Sequence, residues 1–205
     1  DHEAARLINR DNIDVLIDLS GHTRESRTSL FAFKPAPIQT LYLGYPGSSG
    51  LTEMDYWITD HLIHPIDTTE PSSETKYRLN RNWTAYGQDK ELPPLTEKPA
   101  GAPITFGVVN HIGKLSREFI NIWVHILKRN PDARLLVKSV EFREADLRIK
   151  VINYLEELGV DRQRLTLVGQ SLTHSDHLDT YNTIDVCLDP FPYNGGTSTA
   201  DALAM

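Results

Sequence analysis

Between residues 104 and 188, short apolar runs alternate with amphipathic segments. Ile104 to Val109, Arg134 to Val137, Leu165 to Val168 and Val186 to Leu188 each predict a strand, because they are apolar and too short for a buried helix. Ser116 can cap a helix on which Phe119, Trp123, Ile126 and Leu127 share one face, and Asn130-Pro131 ends it. Leu147, Val151, Leu155 and Leu158 line a second helix, with Gly159 at its C-cap. His174 to Asn182 predicts a short third one. Strands alternating with helices make an α/β domain whose parallel sheet is covered on both faces. Ligands of such sheets bind outside the carboxyl ends of the strands. Lys114, Gln170 to His174 and Asn194 to Thr199 all follow strands, so they share that edge.

The first half is less regular. Ala4 to Arg10 reads as helix and Ile13 to Leu19 as a buried β-branched strand ended by Gly21. Thr23 to Phe33 reads as helix, with Leu30, Phe31 and Phe33 turned inward, stopped by Pro35 and Pro37. Gln39 to Leu43 and Tyr56 to Thr59 predict strands around a glycine-rich loop, Gly44 to Gly50. Residues 61 to 102 are rich in Pro, Thr, Glu and Asn, and their weak periodicity suggests a crossing segment with a domain boundary near Pro99.

The chain has 205 residues, 40% of them hydrophobic, enough for one large domain or two small ones. A net charge of −7 without long charge runs argues against a nonspecific nucleic-acid or membrane-surface binder. The one cysteine, Cys187, lies in an apolar run and reads as a small core residue. No apolar stretch reaches the ~18 residues of a membrane span, and no signal-peptide pattern is present. A cytoplasmic location fits these features. Both ends look cut from something longer.

The segment Asp185 to Leu203, DVCLDPFPYNGGTSTADAL, runs from a strand through a glycine turn to a helix start rich in hydroxyls. The first N–H groups of a helix lack internal partners, and its dipole favours an anion there. Asp201 follows within about a turn and a half, where a carboxylate can accept from ribose hydroxyls. A nucleoside-diphosphate site fits this pattern, and so does an ordinary strand–turn–helix connection.

Longer motifs add a resemblance. Phe33-Lys34-Pro35-Ala36-Pro37-Ile38-Gln39, Leu43 to Gly50 and Met54 to Asp60 resemble the catalytic region of the O-GlcNAc transferase and SPINDLY family, glycosyltransferase family 41. So do Asn110-His111-Ile112-Gly113-Lys114, Trp123 to Pro131 and the tail from Asp185. The matches run in order along nearly the whole chain, weakest around 61 to 100 and 139 to 163. The resemblance implies a GT-B fold, with two Rossmann-like domains facing each other across a cleft. Residues 1–98 would be the end of the N-terminal catalytic domain with its crossing segment, and 99–205 the first part of the C-terminal, nucleotide-sugar-binding domain. Tetratricopeptide repeats precede this region in the family.

By the same resemblance, Lys114 contacts the donor diphosphate. Thr197 and Ser198 hold the phosphates, Asn194, Gly195 and Gly196 belong to the same donor site, Asp201 holds the ribose, and His177 packs on the base. Ser171 and Leu172 fall where backbone groups read the base edge, and His174 lies near an often basic position. Leu43, Gly44, Tyr45 and Pro46 match a loop on the sugar and acceptor side, and His22, Thr23 and Arg27 a segment facing the acceptor polypeptide. Arg24 reads as a surface charge. Gly196 departs from the histidine many family members carry. The family's base candidates lie before residue 1, so no general base is assigned. No metal cluster is visible, and the family's enzymes work without a metal or other cofactor.

The resulting expectation is inverting transfer of GlcNAc from UDP-GlcNAc to Ser or Thr hydroxyls of acceptor proteins. GDP-fucose, to which the His-Ser-Asp-His-Leu and Phe-Pro-Tyr patterns point, or UDP-glucose are alternative donors. A nucleotide-sugar-binding or interaction module without turnover is the alternative from another class. Neither nucleic acid nor membrane is an expected partner, and the oligomeric state stays open.

Overall fold

The computed structural model describes residues 1–84, 86–87 and 92–205. They form two compact units, Asp1–Ala85 and Tyr86–Met205. Part of the expected crossing segment, residues 85 and 88–91, lies outside the described residues.

In the first unit, helix α1 (His2–Arg10) precedes strand β1 (Val15–Asp18), short helix α2 (Thr28–Phe31) and strands β2 (Ile38–Leu41), β3 (Tyr56–Asp60) and β4 (Thr75–Leu79). The strands pair in parallel in the order β1-β2-β3-β4. Ala5, Leu30, Phe31, Leu41, Met54 and Trp57 form the core on the helix-covered face. Val15 and Ile17, two apart on β1, are exposed.

Four expectations are corrected here: Phe33, expected inward, is 52% exposed, and Ile13, Val15, Ile17 and Leu19 of the strand expected to be buried are all exposed. The helix predicted from Thr23 starts only at Thr28, because residues 20–26 close turns on themselves, Thr23 N–H to Ser20 O and Ser26 N–H to Thr23 O. Strand β4 was hidden in the segment read as irregular. Its sequence, TKYRL, has little apolar character, and pairing with β3 along its whole length specifies it.

The second unit follows the predicted alternation closely. Strand β5 (Thr105–Val109), helix α3 (Arg117–Arg129), strand β6 (Arg134–Lys138), helix α4 (Ala145–Glu157), strand β7 (Leu165–Val168), helix α5 (His174–Asp179), strand β8 (Val186–Cys187) and helix α6 (Thr197–Ala204) come in that order. Ser116 caps α3 by accepting from the Phe119 N–H at 3.1 Å, a bond whose loss costs about 1 kcal/mol. Thr173 and Asp176 form a reciprocal capping box on α5. Phe119, Trp123, Leu127, Phe142 and Leu155 pack on one sheet face around Val108, Leu135 and Val137. Leu178, Tyr181, Ile184 and Ala202 cover the other around Val109.

The parallel order is β7-β6-β5-β8. The chain winds outward from β5 to β7 and then returns to the far side of β5, so the winding reverses there. Such a switch point leaves a crevice at the carboxyl ends of the strands. β8 is an edge strand, as β7 is on the other side, and Cys187 on it is exposed, not in the core as expected. Residues 94–98 bond to this unit: Thr96 N–H to Asn182 Oδ1, Asn182 Nδ2 to the Pro94 carbonyl and Lys98 to Asp185. Among the described residues, no helix is long and apolar enough to cross a membrane.

Candidate functional site

The loops after β5 and β8 flank the switch point, and their side chains meet. Lys114 ends a 3-10 turn, Ile112–Lys114, and donates from Nζ to the Asn194 carbonyl at 2.9 Å. Its ammonium also lies 4.6 Å from the Tyr193 ring centroid. Burial lowers its pKa below the usual lysine value, and the charge of Asp189 works the other way.

Asp189 organises the glycine turn. Its Oδ1 accepts from the Gly195 N–H at 2.8 Å and from Thr199 Oγ1 at 3.1 Å, and its Oδ2 accepts from Asn194 Nδ2 at 3.3 Å. A Cβ on Gly195 would lie 2.4 Å from Thr199 Oγ1 and 2.7 Å from Ser198 Oγ, so only glycine lets this loop press on the start of α6. No side chain caps α6, which leaves the N–H groups of Thr197 and Ser198 for an outside acceptor. The sequence pattern assigns Asp189 no role of its own.

Beside this turn lies a cavity of about 510 Å³. Its wall draws on the loop after each of β5, β6 and β7, on α5 and on Ser198. His177 lines it, with Nε2 3.6 Å from Asp201 Oδ2 and its ring against those of His174 and Tyr181. Burial and the neighbouring Lys138 ammonium hold the His177 pKa below its ordinary value, although Asp201 pulls it upward. The ring is therefore neutral at pH 7, suited to stacking. Asp201 is only 3% exposed and accepts from Tyr86 Oη at 2.7 Å.

Ser171 and Leu172 both border the cavity. Ser171 accepts from Lys138 Nζ at 2.5 Å, whereas the Leu172 side chain is 99% exposed. Lys138 itself, at the end of β6, was not singled out from the sequence. A cation closing an apolar run at the ligand edge of a sheet was the available signal. Also missed was His111, whose Nε2 contacts Glu141 Oε1 at 2.6 Å while its Nδ1 accepts from the Gly113 N–H.

The residues expected on the acceptor side cluster within the first unit. His22 Nε2 donates to the Ser48 carbonyl at 2.8 Å, and its ring meets that of Tyr45 edge-on. Leu43 has φ +67°, a left-handed backbone that few non-glycine residues adopt, and Pro46 is exposed beyond it. A Cβ on Gly44 would stand 2.1 Å from the Leu19 carbonyl oxygen, so close backbone packing requires glycine. Buried Glu74 holds the loop, accepting from Ser49 N–H and Ser48 Oγ at 2.7 Å each. Arg27 is committed to Asp1, and Thr23 Oγ1 donates to Ser20 O. Arg24 is a solvent-exposed surface charge.

Comparison with known proteins bears on this arrangement. The family model of Glycosyl transferase family 41 matches residues 1–99. The probable UDP-N-acetylglucosamine--peptide N-acetylglucosaminyltransferase SPINDLY of Oryza sativa subsp. japonica is 37% identical over 205 residues, 99% of this chain and 22% of that protein. The chain belongs to glycosyltransferase family 41. The Arabidopsis thaliana relative of the same description is 36% identical over 203 residues, again spanning 98% of this chain and 22% of its own length. A point mutant of the Thermobaculum terrenum O-GlcNAc transferase superposes with a TM-score of 0.92 at 34% identity, covering 100% of this chain and 39% of that one. The two parallel α/β units thus have the GT-B fold of family 41. The chain spans about a fifth of the length of the curated relatives it matches, at 22%.

Proposed function

We propose that the protein transfers GlcNAc from UDP-GlcNAc to Ser or Thr hydroxyls of acceptor proteins with inversion, and that this chain carries its donor site. The acceptor hydroxyl attacks the anomeric carbon and releases its proton to water, the bond to the β-phosphate oxygen breaks, and UDP leaves with the electron pair. Charge then gathers on the β-phosphate. Lys114 and the N–H groups of Thr197 and Ser198 answer it as fixed positive ends in place of a metal ion. The neutral His177 ring stacks on the base and Asp201 takes the ribose. Leu43 to Pro46, with His22, Thr23 and Arg27, serve the sugar and acceptor side. No general base is assigned among these residues, and the protein works in the cytoplasm.

The observation that carries this reading is the meeting of Lys114 with the Asn194 carbonyl at the switch point, because it joins the two phosphate-binding motifs in one site. Calorimetry on the whole protein with UDP, GDP and UDP-GlcNAc tests it. Tight UDP and weak GDP binding supports GlcNAc transfer, a preference for GDP points to GDP-fucose, and binding of neither removes the donor site altogether.

A further inference from the structure

Lys138 is buried, 4% exposed, yet among the described residues its ammonium touches no carboxylate. Nζ donates to Ser171 Oγ at 2.5 Å and to Thr180 Oγ1 at 2.7 Å. Thr180 passes its own proton to the Asp176 carbonyl, at 3.1 Å, so it can only accept from the lysine. Ser171 receives the lysine and keeps its own O–H to give. An ammonium has three donors and no acceptor. Among the described residues, the third N–H of Lys138 has no partner, and both Lys138 and Ser171 line the cavity that also holds His177. At this point of the wall the open positions are donors, the third Lys138 N–H and the Ser171 O–H. Burying a cation without a countercharge is costly, so the arrangement needs a reason beyond stability.

We propose that Lys138, with Ser171, is the specificity-determining pair of the cavity, donating to an exocyclic carbonyl oxygen of the donor's base so that oxo bases are accepted and amino bases rejected. Uracil O4 and guanine O6 accept hydrogen bonds there. The amino groups of cytosine and adenine put a second donor against the first, leaving both unpaired in a buried site, the strongest form of discrimination available to a binding pocket. Burial depresses the Lys138 pKa, with Asp176 opposing, which accords with a cation awaiting an electron-rich partner. The inference rests on reading this cavity as the base pocket of the donor site.

The test is calorimetric titration of the whole protein with UDP, CDP and 4-thio-UDP, beside Lys138→Met and Ser171→Ala. The unmodified protein is expected to bind UDP at least tenfold more tightly than CDP and several-fold more tightly than 4-thio-UDP, whose sulfur is a poorer acceptor. In Lys138→Met the UDP-to-CDP ratio should fall towards one, and in Ser171→Ala it should fall part of the way. UDP binding with an unchanged ratio in both variants overturns the role of Lys138 and leaves the donor site standing. Absence of nucleotide binding in the unmodified protein overturns both. Should Lys138→Met fail to fold, equal binding of UDP and 4-thio-UDP by the unmodified protein overturns the proposal without it.

Discussion

Lys114 and Asn194, 80 residues apart, are joined by an N–H···O bond of 2.9 Å between the ammonium and a backbone carbonyl. That bond places a cation against the glycine turn, whose own donors lie at the start of α6. A phosphate entering there would compete with the carbonyl for the same ammonium. Lys114→Ala is expected to lower kcat about 100-fold or more while changing the Kd for UDP far less, because the charge matters most when the leaving group departs. Steady-state kinetics beside calorimetry checks it, and unchanged turnover would remove Lys114 from the chemistry.

His177 supplies a pH signature. Its pKa lies below the ordinary 6.5, through burial first and then Lys138. Between that lower value and 6.5 the unfolded chain binds more protons than the folded one, so stability falls as pH falls through this window. His177→Phe should flatten the pH dependence of the melting temperature there and keep most of the affinity for UDP. His177→Ala should weaken UDP about tenfold, the scale of one base–aromatic stack.

Glu74 makes a prediction about the loop of Leu43 to Gly50. At 5% exposure, burial opposes its ionisation, but hydrogen bonds from Ser49 and Ser48 outweigh that and hold its pKa below 4.5. The stability it contributes is present above 4.5 and lost as pH falls through the folded value. Glu74→Gln should therefore cost about 1–3 kcal/mol at neutral pH and little in acid, where the native carboxyl is also protonated. Thermal melts across pH read this directly, and a gap independent of pH would contradict it.

At Gly196 a Cβ would meet nothing within 4 Å. Gly196→His should fold with a stability change within about 0.5 kcal/mol, as for other open surface positions. If this turn holds the diphosphate, the added imidazole should tighten UDP-GlcNAc binding several-fold. A variant that folds and binds more weakly would place the phosphates elsewhere.

Local pattern alone carried the second unit. Apolar runs too short for helices, the cap at Ser116, the turn at Gly159 and the strand–glycine–helix tail specify their elements through interactions within a few residues. The approach of Lys114 to the turn was legible as well, since parallel strands bring their following loops to one edge. What local pattern could not carry depends on partners distant in the chain. β4 exists because β3 pairs with it. Cys187 is exposed because its strand lies at the sheet edge, a matter of strand order that an apolar run does not encode. Lys138 meets Ser171 and Thr180 across gaps of 33 and 42 residues, and only the packing of β6 against β7 and α5 turns that lysine from a strand-end cation into a buried donor. The sequence determined which elements form and which edge they offer to a ligand. The tertiary structure decided which side chains face one another there, because hydrogen bonds across the sheet edge depend on strand order and register.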